Sequence, residues 1–203
     1  TMGGTGKTPM VKHIARWFAQ RGVGVAIVSR GYGAAADGKN DEALELEQAL
    51  PGVPHVQNPD RVAGAEEAIR RSGSRLILLD DGFQHRRLAR DLDIVLLDAS
   101  APFGFEHMFP RGMLREPIEN LKRAQVVCLT RADALDAREK RDIRERVADL
   151  APRAAWCEAI HAPSQLQNLP GELLPIASLA QRKIAAFCAI GNPTAFRRTL
   201  ESG

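Results

Sequence analysis

The feature that most limits what this chain can fold into stands at its start, where Gly3-Gly4-Thr5-Gly6-Lys7-Thr8 runs straight into an amphipathic stretch. Glycines so placed let successive backbone N–H groups turn toward one point, and the N-terminus of a following helix adds a dipole that favours an anion there. In a loop of the form G-x-x-x-x-G-K-[ST], the lysine reaches the β- and γ-phosphates of a nucleotide and the last hydroxyl binds magnesium. Lys7 and Thr8 occupy those places, and Gly3, Gly4, Thr5 and Gly6 form the cradle. Thr1 stands where the general pattern has its first glycine. Such a loop joins a strand to a helix, so the expectation is a βα architecture. The feeding strand is not part of the sequence and the last residues close a helix, so the chain is expected to be a piece of a longer protein.

The rest of the chain keeps that rhythm. Val11, Ile14, Ala15 and Phe18 recur at i, i+3, i+4 and i+7, which predicts a helix with Pro9 in its first turn. Residues 23–28 form a β-branched run closed by Ser29-Arg30-Gly31-Tyr32-Gly33, and residues 34–40 are small and polar, a mobile loop. Ala43, Leu46 and Leu50 mark a second helix, residues 53–57 a short strand, and residues 61–71 a third helix with Val62, Ala65 and Ile69 inward. Leu76-Ile77-Leu78-Leu79, Ile94-Val95-Leu96-Leu97 and Val126-Val127-Cys128-Leu129 are apolar on both faces. Runs of that kind between helices predict a parallel sheet covered on both sides. Residues 137–150 predict a charged helix with Ile143, Val147 and Leu150 on one stripe. Residues 152–175 carry prolines and read as irregular; a strand over 184–190 and a helix over 194–200 follow. The expected fold is α/β: a P-loop NTPase-like, mostly parallel sheet with helices on both faces. Residues 1–151 would form the nucleotide-binding core, and 152–203 a linker and an incomplete C-terminal lobe.

Composition narrows the classes. At 44% hydrophobic and 26% charged residues, wholesale disorder is excluded, and a net charge of +3 is too small to argue for nucleic acid. Cys128, Cys157 and Cys188 sit in apolar stretches with no C-x-x-C pair, which predicts buried, reduced thiols of a cytosolic protein. Neither a signal peptide nor a membrane span is expected from these residues, which hold no apolar run long enough to cross a bilayer.

A phosphate loop needs a second magnesium anchor at the end of a neighbouring strand. Asp80 and Asp81 follow the 76–79 run and fit that role; the same carboxylates could simply cap a helix. Loop and acidic pair together imply ATP or GTP with Mg2+, without naming the acceptor.

More of the chain then becomes specific. Gly3-Gly4-Thr5-Gly6-Lys7-Thr8-Pro9, Ser29-Arg30-Gly31-Tyr32-Gly33, Asp41-Glu42, Asp60-Arg61, Asp80-Asp81-Gly82-Phe83-Gln84-His85 with Arg90-Asp91-Leu92, Arg111-Gly112-Met113-Leu114-Arg115-Glu116-Pro117 and Gly191-Asn192-Pro193 occur in that order. In this the sequence resembles the tetraacyldisaccharide 4′-kinases, the lipid A kinases of Gram-negative envelope synthesis. The family's loop likewise carries Ser or Thr at the place of Thr1. The resemblance implies transfer of the ATP γ-phosphate to the 4′-hydroxyl of a tetraacyldisaccharide 1-phosphate, giving lipid IVA. It further implies dependence on Mg2+ and a peripheral position on the cytoplasmic face of the inner membrane. A sugar hydroxyl is a poor nucleophile, so a carboxylate should orient it or take its proton. The resemblance puts that role on Asp41, within Asn40-Asp41-Glu42 where the family has Gly-Asp-Glu; Asn also tolerates the left-handed turn conformation. Asp41 could instead cap the helix that follows. The family's histidine partner for this aspartate lies beyond Gly191-Asn192-Pro193, outside the chain.

Around these, Arg30 follows the 23–28 run and could meet phosphate oxygens or stand as a surface turn residue. Asp81 and His85 are candidates beside the transferred group, with Gln84 toward the substrate; His85 could equally be structural. Arg111 and Arg115 suit bidentate contact with the lipid 1-phosphate or the transferring group, and Glu116 could contact substrate or only hold Arg115. Phe103, Phe105 and Phe109, with Met108, Met113 and Leu114, could touch acyl chains and the anionic membrane surface, or plug the core. Arg86, Arg87 and Arg90 could face anionic lipid or solvent. Thr130-Arg131-Ala132-Asp133 resembles the base-reading turn of nucleotide switches, which keeps open a switch protein with guanine preference and no metabolite acceptor. A kinase acting on a small soluble acceptor is a third reading.

Overall fold

A computed structural model of the chain describes residues 4–31, 41–163, 165–189 and 193–202. Helix α1 (Lys7–Ala19) begins after Gly6, whose φ of 85° is a left-handed value that a side chain would resist. Pro9 lies in the first turn, where its missing N–H has no carbonyl to serve. The helix leads into β1 (Val25–Ser29), buried at all five positions. Strands β2 (His55–Gln57) and β3 (Leu76–Leu79) pair with β1 in parallel, one on each side, so that Val28 stands opposite both Val56 and Leu79.

A central strand covered on two faces must be apolar on two faces, and β1 is. Val25 and Ile27 pack with Ala15 of α1 and with Leu46 and Leu50, at and just beyond α2 (Asp41–Ala49). Ala26 and Val28 pack with Val56 and with Ala68 of α3 (Arg61–Ser72). Each large side chain buried this way contributes about 1.5–3 kcal/mol relative to exposure. The expected arrangement of helices on both faces is thus present. One helix stripe differs from expectation: α3 turns Arg61, Gly64, Ala65 and Ala68 inward, and Ile69 is 51% exposed. Gly64 explains the choice, because a Cβ there would lie 3.0 Å from Val28 Cγ1. The side with the smallest residues lets the helix approach β1 most closely, and Ile69 is rotated out.

A further three strands, β4 (Ile94–Asp98), β5 (Val126–Thr130) and β6 (Ala155–Ala159), form a sheet with β5 between the other two. Helix α4 (Ala137–Leu150) starts at a reciprocal cap, with Asp136 accepting from the Arg138 and Glu139 N–H groups and Glu139 reaching back to the Asp136 N–H. Strand β6 falls where an irregular segment was expected. Its sequence, Ala-Trp-Cys-Glu-Ala, lacks an apolar run because it is an edge strand largely open to solvent. Strands β7 (Leu166–Gln167) and β8 (Leu173–Leu174) make a short antiparallel pair. Residues 184–189 form no strand, contrary to expectation: Ile184 and Phe187 are exposed, and no neighbouring strand pairs with them. Helix α5 (Pro193–Ser202) ends the described chain. Cys128 is buried, but Cys157 and Cys188 are exposed, which corrects the expectation of three buried thiols.

Two compact units result, one of residues 6–96 with 119–126, the other of residues 97–118 and 127–203 with the start of the chain. No helix among the described residues is long and apolar enough to cross a membrane.

Candidate active site

Parallel pairing places the carboxyl ends of β1, β2 and β3 on one edge, so Ser29-Arg30-Gly31, Gln57-Asn58 and Asp80-Asp81 share it. Helix α1 has 13 residues and runs about 20 Å, and β1 has five and runs about 17 Å. Joined by a short turn and packed side by side, they bring Lys7 and Thr8 to that same edge. Ligands of open α/β sheets bind at this edge.

The acidic turn is held from several directions. The Asp80 N–H donates to the Val28 carbonyl at 2.9 Å, continuing the β1–β3 ladder one residue further, and Asp80 is only 5% exposed. Asp81 takes a left-handed φ of 55°, which costs an ordinary side chain energy and is found mostly where the surroundings impose it. Gly82 must be glycine, because a Cβ would lie 2.7 Å from the Leu79 Cβ. Below it, the Arg123 guanidinium lies over the Phe83 ring at 4.1 Å and donates to the Phe83 carbonyl at 3.2 Å. Arg90 faces neither lipid nor solvent, in contrast to the sequence reading. Its guanidinium donates to the His85 carbonyl at 2.5 Å, to the Leu88 carbonyl at 2.9 Å and to Asp93 at 2.6 Å. Arg86 and Arg87 are exposed, as is Gln84, while His85 is half-buried with its Nδ1 enclosed.

Lys7, Thr8, Arg30, Asp80, Asp81, Gln84 and His85 all belong to the unit of residues 6–96. Asp41 opens α2 in that unit, and its side chain lies outside the described residues, as do Gly3, Tyr32, Gly33, Asn40, Gly191 and Asn192. The oxygen donors of Thr8, Asp80 and Asp81 suit magnesium. Among the described residues no three His, Cys, Asp or Glu side chains cluster as a metal cage. Magnesium held by one or two carboxylates and a nucleotide's phosphates needs no such cage.

Two contacts near this edge join residues that the sequence does not pair. Ser29 Oγ and His55 Nε2 are 2.8 Å apart, and Arg61, 4% exposed, donates to the Asn58 carbonyl at 2.9 Å. An arginine so deeply buried is rare, and its place just past a strand end is the clue that could have found it. Beside it Asp60 accepts from the Val62 N–H at 2.9 Å. The N–H groups of Ala63 and Val62, then the charges of Arg87 and His85, hold its carboxyl below the usual range.

The other unit holds Gly4 and Thr5 and the loop of residues 101–117. Thr130 Oγ1 donates to the Thr5 carbonyl at 3.0 Å and to Leu97 at 3.2 Å, and the Arg131 guanidinium donates to the Gly4 carbonyl and pairs with Asp98. Burial works against the Asp98 carboxylate, yet Arg131 and the Ser100 N–H and hydroxyl bring its pKa below the ordinary value. In the loop, a Cβ on Gly112 would lie 2.3 Å from the His107 carbonyl oxygen, so the chain folds back on itself there. Phe103, Met113 and Leu114 are half-buried, whereas Phe105 at 68%, Met108 and Phe109 at 64% are exposed. The two readings of this apolar loop therefore divide between its residues. Arg111 and Arg115 are exposed beside it, and Glu116 is half-buried.

Residues 1–203 match the family described as tetraacyldisaccharide-1-P 4′-kinase, LpxK. The chain belongs to this family. It is 43% identical to the tetraacyldisaccharide 4′-kinase of Anaeromyxobacter sp. (strain K), over 99% of the chain and 57% of that relative. It is 40% identical to that of Geobacter metallireducens, over 98% of the chain and 62% of the relative. The crystal structure of Aquifex aeolicus LpxK in complex with ATP superposes with a TM-score of 0.73 at 26% identity, covering the whole of this chain and 64% of that one. The chain thus spans about three-fifths of the length of these kinase relatives.

Proposed function

We propose that this chain carries the nucleotide-binding part of an ATP-dependent tetraacyldisaccharide 4′-kinase. The observation that supports the reading most is the match to the LpxK family over residues 1–203, with Lys7, Thr8, Asp80 and Asp81 in one unit whose strand ends share an edge. In this reading the loop N–H groups and Lys7 hold the phosphates of ATP, and Arg30 adds a contact. Thr8 with Asp80 and Asp81 would hold Mg2+, which supplies neutralising charge to the phosphate oxygens when bound. Asp41 orients the 4′-hydroxyl and takes its proton as the oxygen bonds to the γ-phosphorus; the bond from that phosphorus to the bridging oxygen breaks, and ADP leaves. His85 and Gln84 follow the acidic pair in the chain, and in this reading they contact the transferring group and the sugar. Arg111 and Arg115, with Glu116, would contact the phosphate of the lipid A disaccharide precursor.

The exposed Phe105, Met108 and Phe109 beside two exposed arginines support a peripheral position on an anionic bilayer, at the cytoplasmic face of the inner membrane. The test is transfer of labelled γ-phosphate from ATP to tetraacyldisaccharide 1-phosphate in mixed micelles, using the protein at the length of its relatives. A labelled lipid that disappears in Lys7→Ala supports the kinase. Tight Mg·ATP binding with no labelled lipid would refute the acceptor. Guanine preference with slow hydrolysis would move the reading to a nucleotide switch.

A further inference from the structure

We propose that Thr130, Arg131 and Asp98 form a positioning device that sets two peptide units of the phosphate loop for a nucleoside triphosphate. The inference rests on the phosphate-loop reading and assigns it residues that neither the loop pattern nor the acidic turn contains.

In a trans peptide the carbonyl and the following N–H point in opposite directions. The Gly4 carbonyl is taken by the Arg131 guanidinium and the Thr5 carbonyl by Thr130 Oγ1. The Thr5 and Gly6 N–H groups are therefore turned the other way, as phosphate donors must be. The loop's glycines do not fix this by themselves: Gly4 at φ 76° and Gly6 at φ 85° are of the residue type with the widest choice of conformation. The restraint comes from two strand ends instead. Thr130 closes β5, shares its one hydroxyl proton between the Thr5 and Leu97 carbonyls, and is 4% exposed, as is Thr5. Asp98 closes β4, and its carboxylate holds the guanidinium whose other arm grips Gly4. The Arg131 and Asp98 side chains are 13% and 12% exposed, so the pair is largely shielded from water, which competes little for its charge-assisted hydrogen bonds.

The deciding experiment is equilibrium binding of Mg·ATP, Mg·ADP and adenosine to the full-length protein, with steady-state KM and kcat alongside. Thr130→Val keeps the shape and removes the donor; Thr130→Ser keeps the donor. Valine should weaken Mg·ATP by about three- to tenfold, the equivalent of one hydrogen bond, and serine should restore binding to within about twofold. Arg131→Met should cost roughly tenfold or more, and Arg131→Lys less. The ATP KM should rise by the same factor as the dissociation constant, with kcat for the lipid acceptor within about threefold of wild type. Adenosine, which lacks phosphates, should bind all variants alike. A merely structural role would instead lower thermal stability and weaken all three ligands together, and that result overturns the proposal. So does Mg·ATP bound by Thr130→Val as tightly as by wild type. Lys7→Ala separates the two levels of inference. If wild type binds Mg·ATP, Lys7→Ala does not and Thr130→Val does, only the positioning role fails. If Lys7→Ala binds as wild type, the phosphate-loop reading fails and this inference with it. Should the Arg131 variants not fold, the Thr130 pair decides the matter.

Discussion

At the scale of single residues, type and place must agree before chemistry follows. Asp41 sits at the start of α2, within the unit that carries Lys7 and the acidic pair. Asp41→Ala should lower kcat by about 10²- to 10⁴-fold, the usual contribution of a group that handles a reacting proton, and leave Mg·ATP affinity nearly unchanged. Single-turnover transfer measured beside nucleotide titration checks this, and loss of binding together with turnover would assign Asp41 to capping instead. The cysteines offer a second test. Burial, and then the neighbouring Cys157 thiol, push the Cys128 thiol up to about 12, so almost none of it is thiolate at neutral pH. A thiol reagent at about pH 8 should modify the exposed Cys157 and Cys188 in the folded protein and spare Cys128 until denaturant is added. Mass mapping of the labelled peptides reads the outcome.

At the scale of elements, close backbone approaches decide which substitutions the fold tolerates. Gly82 follows the acidic pair with Leu79 packed where a Cβ would go. Gly82→Ala should destabilise the protein by about 1–3 kcal/mol through overpacking, seen as a lower midpoint in urea, and should weaken Mg·ATP by moving Asp81. The loop of residues 101–117 behaves differently on its two sides. Phe105 and Phe109 are exposed, so Phe105→Ser with Phe109→Ser should leave the thermal midpoint within about 1 °C while reducing sedimentation with anionic vesicles several-fold. Unchanged sedimentation would remove this loop from the membrane reading. The sequence placed the apolar loop correctly but could not divide it, because inward and outward phenylalanines are written with the same letter.

At the scale of the whole molecule, stability should carry the signature of depressed carboxylates. Asp98 is lowered by Arg131 and Ser100 despite its burial, and Asp60 by the N–H groups that open α3. A group with a folded pKa below its unfolded value binds its proton more readily when unfolded, so its stabilisation is complete above the unfolded value and lost as pH falls through the folded one. With an unfolded value near 3.8 for both, the urea midpoint should be flat from about pH 5 to 8 as far as these groups matter, and fall below about pH 4. Asp98→Asn should be less stable at neutral pH and show a shallower decline in acid. A decline already present at about pH 6 would point to other groups.

The sequence by itself determined the order of elements in the first unit, a parallel sheet covered on both faces, and where the glycine-rich loop and the acidic turn fall along the chain. Those follow from local periodicity, from glycines at positions no other residue fits, and from short motifs whose spacing is their meaning. It did not determine β6, which lies at a sheet edge and carries no apolar run, and it wrongly made a strand of residues 184–189, whose apolar side chains find no partner. Nor did it reveal that Arg90 turns inward, that Arg61 is buried, or that Thr130 and Arg131 grip the carbonyls of Thr5 and Gly4. Each of these depends on which distant backbone carbonyl, carboxylate or strand comes within a few ångströms. Pattern along a chain encodes periodicity; partnership across a fold is decided only when the chain has closed on itself.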